Sequence, residues 1–507
     1  MSVAKKIIIN TFSNYLLRFL QIILSLIAIP VIINNVGKEA FGLIALANSI
    51  LGYFVLIDIG IPTGVTKYVA EFMAKKDHVK VSKIINTSFS LFIGIGSFVS
   101  LSTILFVYFG GLGMFNISPG KINSAKNLLF IAAVFALFSW PRKVLEGAFQ
   151  GLQQFHKVNL VLGLGRVFAV TTAIVVSLVG KPVELVFLAM NADVFVTGVW
   201  LFAWLRRELD FWHFRLFNVE WSILKLLFAF SSWLFLSQLA VLLEYNSDTI
   251  IIGTLLPVYM ITAYAILMNP FRLIQQASGL AASAILPAVS ESEALRGKEG
   301  VDVFIYQGVK YHNLLFAPWA IIGGYLCQPF IRLWVGPEYL QHIWIAQLAC
   351  FFQLIWQSNA LLGQVYLGTG RVKKLSLLAL CTGIANVLLS IILVKIIGFI
   401  GVILSTICIG TVSVPIVLWL ILPDLQIPAW RYLRNVLIKT QLPLWIGGFV
   451  FLPLWDSLQN INNWMSFILI ASLMALVLYV AGWFFVLDRD LRGRILVMAK
   501  NPLLNFR

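Results

Sequence analysis

One stretch near the start of the chain places five polar side chains at helical spacing inside a long apolar segment. Its members are Asn10, Asn14, Arg18, Gln21 and Ser25. Spacings of three and four residues put all five on one face of a helix. Such a face is expensive against lipid, so it should line a water-filled cavity. The alternative for Arg18 is snorkelling, in which a cation near a helix end reaches the head groups.

A second stretch repeats the pattern with Asn269, Arg272, Gln276, Gly279 and Ser283. Arg272 lies near the middle of its apolar segment, too deep to snorkel to the cytoplasmic side. Pro270 would free backbone groups at that depth, which suits a helix that lines a cavity. A guanidinium is permanently charged and can bind two oxygens at once, which suits a diphosphate. The alternative is a buried Arg272 paired with a carboxylate or with carbonyl groups.

A third intramembrane arginine, Arg166, lies beside Gly163 and Gly165. Contact with a transported molecule is one interpretation of Arg166. Snorkelling or helix packing against the glycine face is the other.

Four acids fall within apolar segments and are candidates for coupling to a proton or cation: Asp58, Asp193, Glu244 and Asp248. Glu244 and Asp248 are one helical turn apart, and paired carboxylates can share a proton. They could instead reach the outer surface, or one could pair with Arg272. Asp193 could act in coupling or pair with Arg166. For Asp58 a helix-end or packing role is favoured.

The elements that must position these side chains are apolar blocks of about twenty residues, the length that crosses a bilayer as a helix. The sequence is 60% hydrophobic and 11% charged. The blocks do not alternate in polarity as barrel strands would. We therefore predict an all-α polytopic membrane protein. The predicted spans number about fourteen, at roughly 12–33, 41–65, 84–108, 127–146, 158–179, 185–205, 226–253, 261–286, 311–331, 342–366, 375–394, 398–422, 436–455 and 464–487.

The net charge of +16 is a topology signal rather than a sign of nucleic-acid binding. Most of the 37 Lys and Arg residues fall in one of the two alternating sets of loops, which includes both ends of the chain. The positive-inside rule places this set, and hence both termini, in the cytoplasm. The partners predicted from charge are membrane lipids, not nucleic acid.

Motifs for catalysis or cofactor binding are missing from the sequence. It has no Gly-rich phosphate loop followed by Lys-Ser/Thr, no His-Glu-x-x-His and no Gly-x-Ser-x-Gly. The four cysteines lack metal-type spacing. We predict a carrier that is not an enzyme, with no cofactor and no metal.

A weak internal repeat divides the chain. Phe12–Leu16 resembles Phe230–Leu234, and Val69–Glu71 resembles Val289–Glu291 at almost the same separation. The repeat predicts a six-helix half at 1–219, a second at 220–434, and two additional helices with a basic tail at 435–507. Parallel repeats of this kind leave a central cavity and work by rocking.

Five motifs in order along the chain resemble one family. They are Val36–Leu43, Asp58–Ile61, Gly147–Phe155, Asp248–Gly253 and Leu333–Tyr339. Together they resemble the polysaccharide flippase branch of the multidrug/oligosaccharidyl-lipid/polysaccharide (MOP) exporter superfamily, which includes O-antigen and capsule repeat-unit flippases.

The resemblance implies alternating access for an oligosaccharide on a polyprenyl diphosphate, in a bacterial plasma membrane. The cavity side chains would then be Arg18, Arg272, Arg166, Asn14, Gln21, Asn269 and Gln276, and the protein would act as a monomer. Other polysaccharide-assembly proteins are compatible partners. The alternative is a cation-coupled multidrug antiporter of the related branch, which would need acids rather than arginines to dominate its cavity.

Overall fold

The computed structural model describes residues 3–54, 61–216, 219–228, 239–240, 242–243, 246–283, 285–371, 373–488 and 492, with the backbone alone at 3–15, 18 and 287. Regular structure in these residues is helical, apart from an isolated β-bridge between Asn116 and Pro257. The predicted all-α fold is confirmed.

Ten helices lie in the first part of the described chain and are named in order. They are α1 (Val3–Val36), α2 (Lys38–Phe54), α3 (Ile61–Ala74), α4 (His78–Tyr108), α5 (Ile122–Gly151), α6 (Phe155–Leu178), α7 (Val183–Asn191), α8 (Asp193–Glu208), α9 (Ser247–Leu255) and α10 (Tyr259–Leu267). Residues 221–228 are also helical.

The remaining α-helices follow without long loops. They are α11 (Asn269–Ser283), α12 (Leu286–Val303), α13 (Val309–Trp334), α14 (Ile343–Gly368), α15 (Lys373–Ile397), α16 (Ile400–Asp424), α17 (Ala429–Tyr432), α18 (Lys439–Phe449), α19 (Trp455–Gln459) and α20 (Trp464–Phe485). Two π-helical turns, Phe304–Gly308 and Leu433–Ile438, lead into α13 and α18 and lie against each other.

Eleven helical stretches of the described chain are long and apolar enough to cross a membrane. They correspond to eleven of the predicted spans. Predicted spans 41–65 and 226–253 include positions outside the described residues. Predicted span 261–286 consists of two shorter helices, α10 and α11, that meet at Met268. Pro270 explains the break, because it has no N–H to donate and its ring collides with the carbonyl four residues earlier.

The surface and interior have the polarity expected in lipid. Large apolar side chains such as Phe98, Phe130 and Leu469 are exposed, whereas Thr87, Thr197 and other polar side chains are buried between helices. Without water around a bundle, interhelical hydrogen bonds and small side chains hold helices together. The protein is therefore a multi-pass membrane protein, as predicted.

The chain forms two compact units, which we call the N-terminal unit (Met1–Thr262) and the C-terminal unit (Ala263–Arg507). Phe92, Phe149 and Leu201 contribute to the apolar core of the first. Tyr366 and Tyr432 contribute to the core of the second. The repeat-based boundaries after residues 219 and 434 stay predictions.

Candidate functional site

Helix α11 has one buried face and one accessible face. Phe271, Ile274, Ser278 and Ala282 are buried, at intervals of three and four residues. Asn269, Arg272 and Gly279 are half-buried, and Gln276 and Ser283 are exposed. The polar side chains that the sequence predicts on one face therefore lie together on the accessible face of the helix. An added Cβ at Gly279 would meet no atom within 4 Å, so the space beside this face is open.

The guanidinium of Arg272 has a fixed neighbour in its own unit. Its Nη2 donates to the Tyr264 hydroxyl at 3.0 Å. The guanidinium carbon lies 5.1 Å from the centroid of the same ring, which adds a cation–π contact. Tyr264 is itself 2% exposed, so packing holds the ring in place. The other N–H groups of Arg272 have no hydrogen-bond partner among the described residues and can bind an external anion.

Asn269 lies one turn before Arg272 on the same face. Its Oδ1 is buried without a hydrogen-bond partner among the described residues. A buried amide oxygen in this state costs free energy until a donor reaches it. A hydroxyl or water at this place would supply one.

Arg166 has a structural partner. Its Nη1 donates to the carbonyl of Met190 at 3.3 Å, in the last turn of α7. A cation at the carboxyl end of a helix is favoured by the exposed carbonyls and the helix dipole. Gly165, beside it, has no room for a Cβ because the Thr197 side chain occupies that space. This geometry accords with the helix-packing interpretation, and contact of Arg166 with cargo stays a prediction.

Asp193 pairs with Arg142, a residue that the sequence did not single out as a candidate. The Asp193 Oδ2 lies 3.7 Å from Arg142 Nη1, and the Glu146 Oε1 lies 3.0 Å from Arg142 Nε. Span 127–146 was predicted to end near here, but α5 continues to Gly151. The interval of four residues between Arg142 and Glu146 was the available signal for an ion pair on a helix.

The remaining candidates are only partly described. Asp248 is 1% exposed in α9. Gln21 is half-buried in α1, and its carbonyl accepts from the Ser25 hydroxyl at 2.8 Å. Asp58 and Glu244 lie outside the described residues, as do the side chains of Asn14 and Arg18. Their roles stay predictions.

The glycines of motif Gly147–Phe155 bring α5 close to α3. A Cβ on Gly147 would lie 2.9 Å from the Pro62 carbonyl oxygen, and one on Gly151 would lie 2.8 Å from the Thr66 carbonyl oxygen. Beyond the glycines, Gln154 donates to Glu208 at 2.6 Å. The motif therefore fixes how helices pack at this end of the N-terminal unit.

The chain is a multi-pass membrane protein with a polar face on α11 and ion pairs on α5 and α8. Residues 7–293, more than half of the chain, match the family model of polysaccharide biosynthesis proteins. The chain belongs to this family, which confirms the resemblance predicted from its motifs.

A curated relative is an uncharacterized membrane protein, EpsK of Bacillus subtilis (strain 168), 22% identical over 352 residues. The match covers 66% of this chain and 66% of that relative, just under two thirds of its length.

Solved structures have the same fold. The lipid II flippase MurJ in an inward closed conformation superposes with a TM-score of 0.72 at 16% identity, over 94% of this chain and 99% of that chain. An inward-facing multidrug resistance MATE family transporter of the MOP superfamily superposes with a TM-score of 0.60 at 16% identity, over 80% and 95%. The fold is therefore that of MOP transporters.

Proposed function

We propose that this protein moves a polyprenyl-diphosphate-linked oligosaccharide from the cytoplasmic to the outer leaflet by alternating access. The cargo class is an O-antigen, capsule or exopolysaccharide repeat unit. The protein acts in a bacterial plasma membrane as a monomer, with both termini in the cytoplasm, alongside other polysaccharide-assembly proteins. Membership of the polysaccharide biosynthesis family supports the cargo class.

The observation that carries the proposal is the half-buried guanidinium of Arg272. Tyr264 holds one edge of it at 3.0 Å, and the other N–H groups, which have no hydrogen-bond partner in the described part of the chain, can bind an anion. Burial strengthens a charge-assisted hydrogen bond because less water competes for the anion. A diphosphate offers several oxygens to such a fork. The polyprenyl chain meanwhile stays in lipid.

The rest of the accessible face suits a sugar. Asn269 and Gln276 present amide groups one turn on either side of Arg272. Amides donate and accept, as sugar hydroxyls do. Gly279 leaves space next to them. The face can therefore bind a diphosphate at Arg272 and hydroxyls beside it.

A cation-coupled drug antiporter would need acids on this face. Its one charged side chain in the described part of α11 is a cation, Arg272. Like charges repel, so a cationic drug is disfavoured there.

A flipping assay with purified protein in liposomes tests the proposal. A fluorescent polyprenyl-diphosphate oligosaccharide is placed in the inner leaflet, and its appearance outside is followed. Arg272→Ala should slow transport by roughly 10–100-fold, because hydrogen bonds to charged groups contribute about 1.5–3 kcal/mol. Arg272→Lys keeps the charge but not the fork and should fall between Ala and wild type.

Arg296→Ala is the matched control, because Arg296 is an exposed arginine of the same unit. It should transport like wild type. Each variant must elute as folded protein in size-exclusion chromatography. Equal rates for folded Arg272→Ala and wild type would overturn the diphosphate site. Efflux of a cationic dye on a cation gradient, with no flipping of the lipid, would favour the antiporter.

A further inference from the structure

A cluster of charges in the N-terminal unit contains none of the residues that we propose to bind cargo. We define the α5–α8 cluster as Arg142, Glu146, Asp193 and Thr197. Arg142 Nε lies 3.0 Å from Glu146 Oε1, and its Nη1 lies 3.7 Å from Asp193 Oδ2. The same Nη1 donates to the Thr197 hydroxyl at 3.0 Å, and that hydroxyl donates to the Asp193 carbonyl at 2.5 Å.

The cluster lies on α5 and α8, within two candidate membrane-spanning stretches. Both stretches, Pro119–Gly151 and Val183–Glu208, are apolar enough to cross a bilayer. The three charged side chains are 14–20% exposed. Ionisable groups at such positions are rare because charge is costly away from water, and they commonly mark ion or proton pathways.

One guanidinium is shared between two carboxylates. Arg142 and Glu146 form an ion pair without a well-aligned hydrogen bond, because neither Arg142 Nε nor Glu146 Oε1 forms a hydrogen bond of good geometry. The charged groups that act on Glu146 are Arg142, Asp193 and Lys143. The ammonium of Lys143 lies 5.2 Å from the centroid of the Trp140 ring.

We infer that the α5–α8 cluster binds and releases one proton at Glu146 and exchanges Arg142 between Glu146 and Asp193 as it does so. A proton on a Glu146 oxygen makes a neutral carboxylic acid, with no other bond broken. Arg142 is then free to pair fully with Asp193 across to α8. Loss of the proton restores the charge on Glu146 and draws Arg142 back along α5. The switch therefore couples proton binding to the contact between two helices.

The chemistry favours a proton over a metal ion. A metal cation between the carboxylates would lie beside the guanidinium, and two cations repel at this separation. A proton neutralises one carboxylate without adding a like charge next to Arg142. For transport, this inference rests on the proposed function, because the proton gradient would drive the cargo.

Infrared titration of the purified protein measures the proton site without any transport. The spectrum of wild type minus that of Glu146→Gln should show one carboxylic-acid band that disappears as pH rises, because the bands of the other carboxyl groups cancel. Asp193→Asn removes the competing negative charge, so its band should disappear at lower pH than in wild type. Asp210→Asn, an exposed acid of the same unit, is the matched control and should match wild type. A difference spectrum without this band overturns the proton site.

Transport in liposomes tests the coupling. With one proton per cargo, a gradient of one pH unit should shift the steady-state leaflet ratio by about tenfold. Folded Glu146→Gln should bind cargo but lose this shift, and a sodium gradient at equal pH should have no effect. A shift retained in Glu146→Gln, or produced by sodium, overturns the coupling.

Failure of wild type to move the lipid at all counts against the proposed function, while the infrared result still decides the proton site. If Glu146→Gln does not fold, Asp193→Asn decides the site through the shift of its band.

Discussion

The Arg272 guanidinium and the Tyr264 ring form a pair across the break between α11 and α10. The ring face lies 5.1 Å from the guanidinium carbon, and the hydroxyl accepts from Nη2 at 3.0 Å. The pair links the two short helices α10 and α11, which are separated by the break at Met268. Tyr264 therefore positions the cation that we propose to bind diphosphate.

Replacing Tyr264 by Phe keeps the ring and removes the hydrogen bond. Because Arg272 then loses one of two restraints, we expect weaker cargo binding, a rise in KM of roughly tenfold, with a smaller change in maximal rate. Tyr264→Leu removes both restraints and should weaken binding further. The measurement is flipping rate against cargo density in the inner leaflet. Tyr259→Phe, at an exposed tyrosine of the same helix, should leave KM unchanged. Equal KM values for Tyr264→Phe and wild type would show that the pair does not position Arg272.

Close approach of α5 to α3 depends on Gly151. A methyl group there would lie 2.8 Å from the Thr66 carbonyl oxygen and from the Val69 Cβ. Neither neighbour is the flexible end of a side chain, so the helices must move apart. We expect Gly151→Ala to lower the free energy of unfolding by about 1–3 kcal/mol, the usual cost of overpacking. Thermal unfolding in detergent measures the change.

Gly94 offers the matched control for that substitution. It lies in α4 of the same unit, and a Cβ there would meet nothing within 4 Å. Gly94→Ala should be neutral or stabilising by up to about 1 kcal/mol, because alanine favours the helix. If both variants unfolded alike, the short distance at Gly151 would have no energetic consequence.

Sequence periodicity predicts which side chains share one face of a helix better than it predicts which residues those side chains contact. The accessible face of α11 follows from intervals of three and four residues, since a helix turns every 3.6 residues. The contact of Arg272 with Tyr264 does not follow, because it spans the break before Pro270. Likewise, the interval between Arg142 and Glu146 predicts an ion pair along α5, but it does not predict the contact with Asp193. Which helices then pack, and so which carboxylate meets Arg142, depends on tertiary contacts far apart in the chain.

Gln459, the last residue of α19, connects that helix to α13 and α14 through hydrogen bonds. Its Nε2 donates to the Tyr325 carbonyl at 3.0 Å, and its Oε1 accepts from Gln347 Nε2 at 3.0 Å. Leucine is similar in size to glutamine. Gln459→Leu, however, takes these hydrogen bonds from the Tyr325 carbonyl and the Gln347 side-chain amide, and leaves both groups buried without these partners. We expect a loss of about 2 kcal/mol or more in unfolding free energy, since each orphaned buried group costs about 1–3 kcal/mol. Asn460→Ala, at the exposed neighbour, should be neutral. Unchanged thermal unfolding of Gln459→Leu would mean that water replaces both bonds.

The first turn of α4 should depend on pH through Asp77, which lies outside the membrane-spanning stretches. Its Oδ1 accepts from the Lys80 backbone N–H at 3.0 Å, and this bond, with the Lys80 ammonium, holds the pKa of Asp77 below its ordinary value of 3.8. A lowered pKa means that the carboxylate stabilises the turn above pH 3.8 and that this stabilisation disappears as pH falls through the folded value. Hydrogen exchange at the Lys80 amide should therefore be slow at neutral pH. Its protection should fall as the pH drops below 3.8, once the intrinsic pH dependence of exchange is taken into account.

Asp77→Ala should exchange fast throughout, because the cap is lost. Asp77→Asn still caps the helix without a charge, so its protection should not change with pH in this range. Equal protection in Asp77→Ala and wild type at neutral pH would show that the cap does not hold the turn.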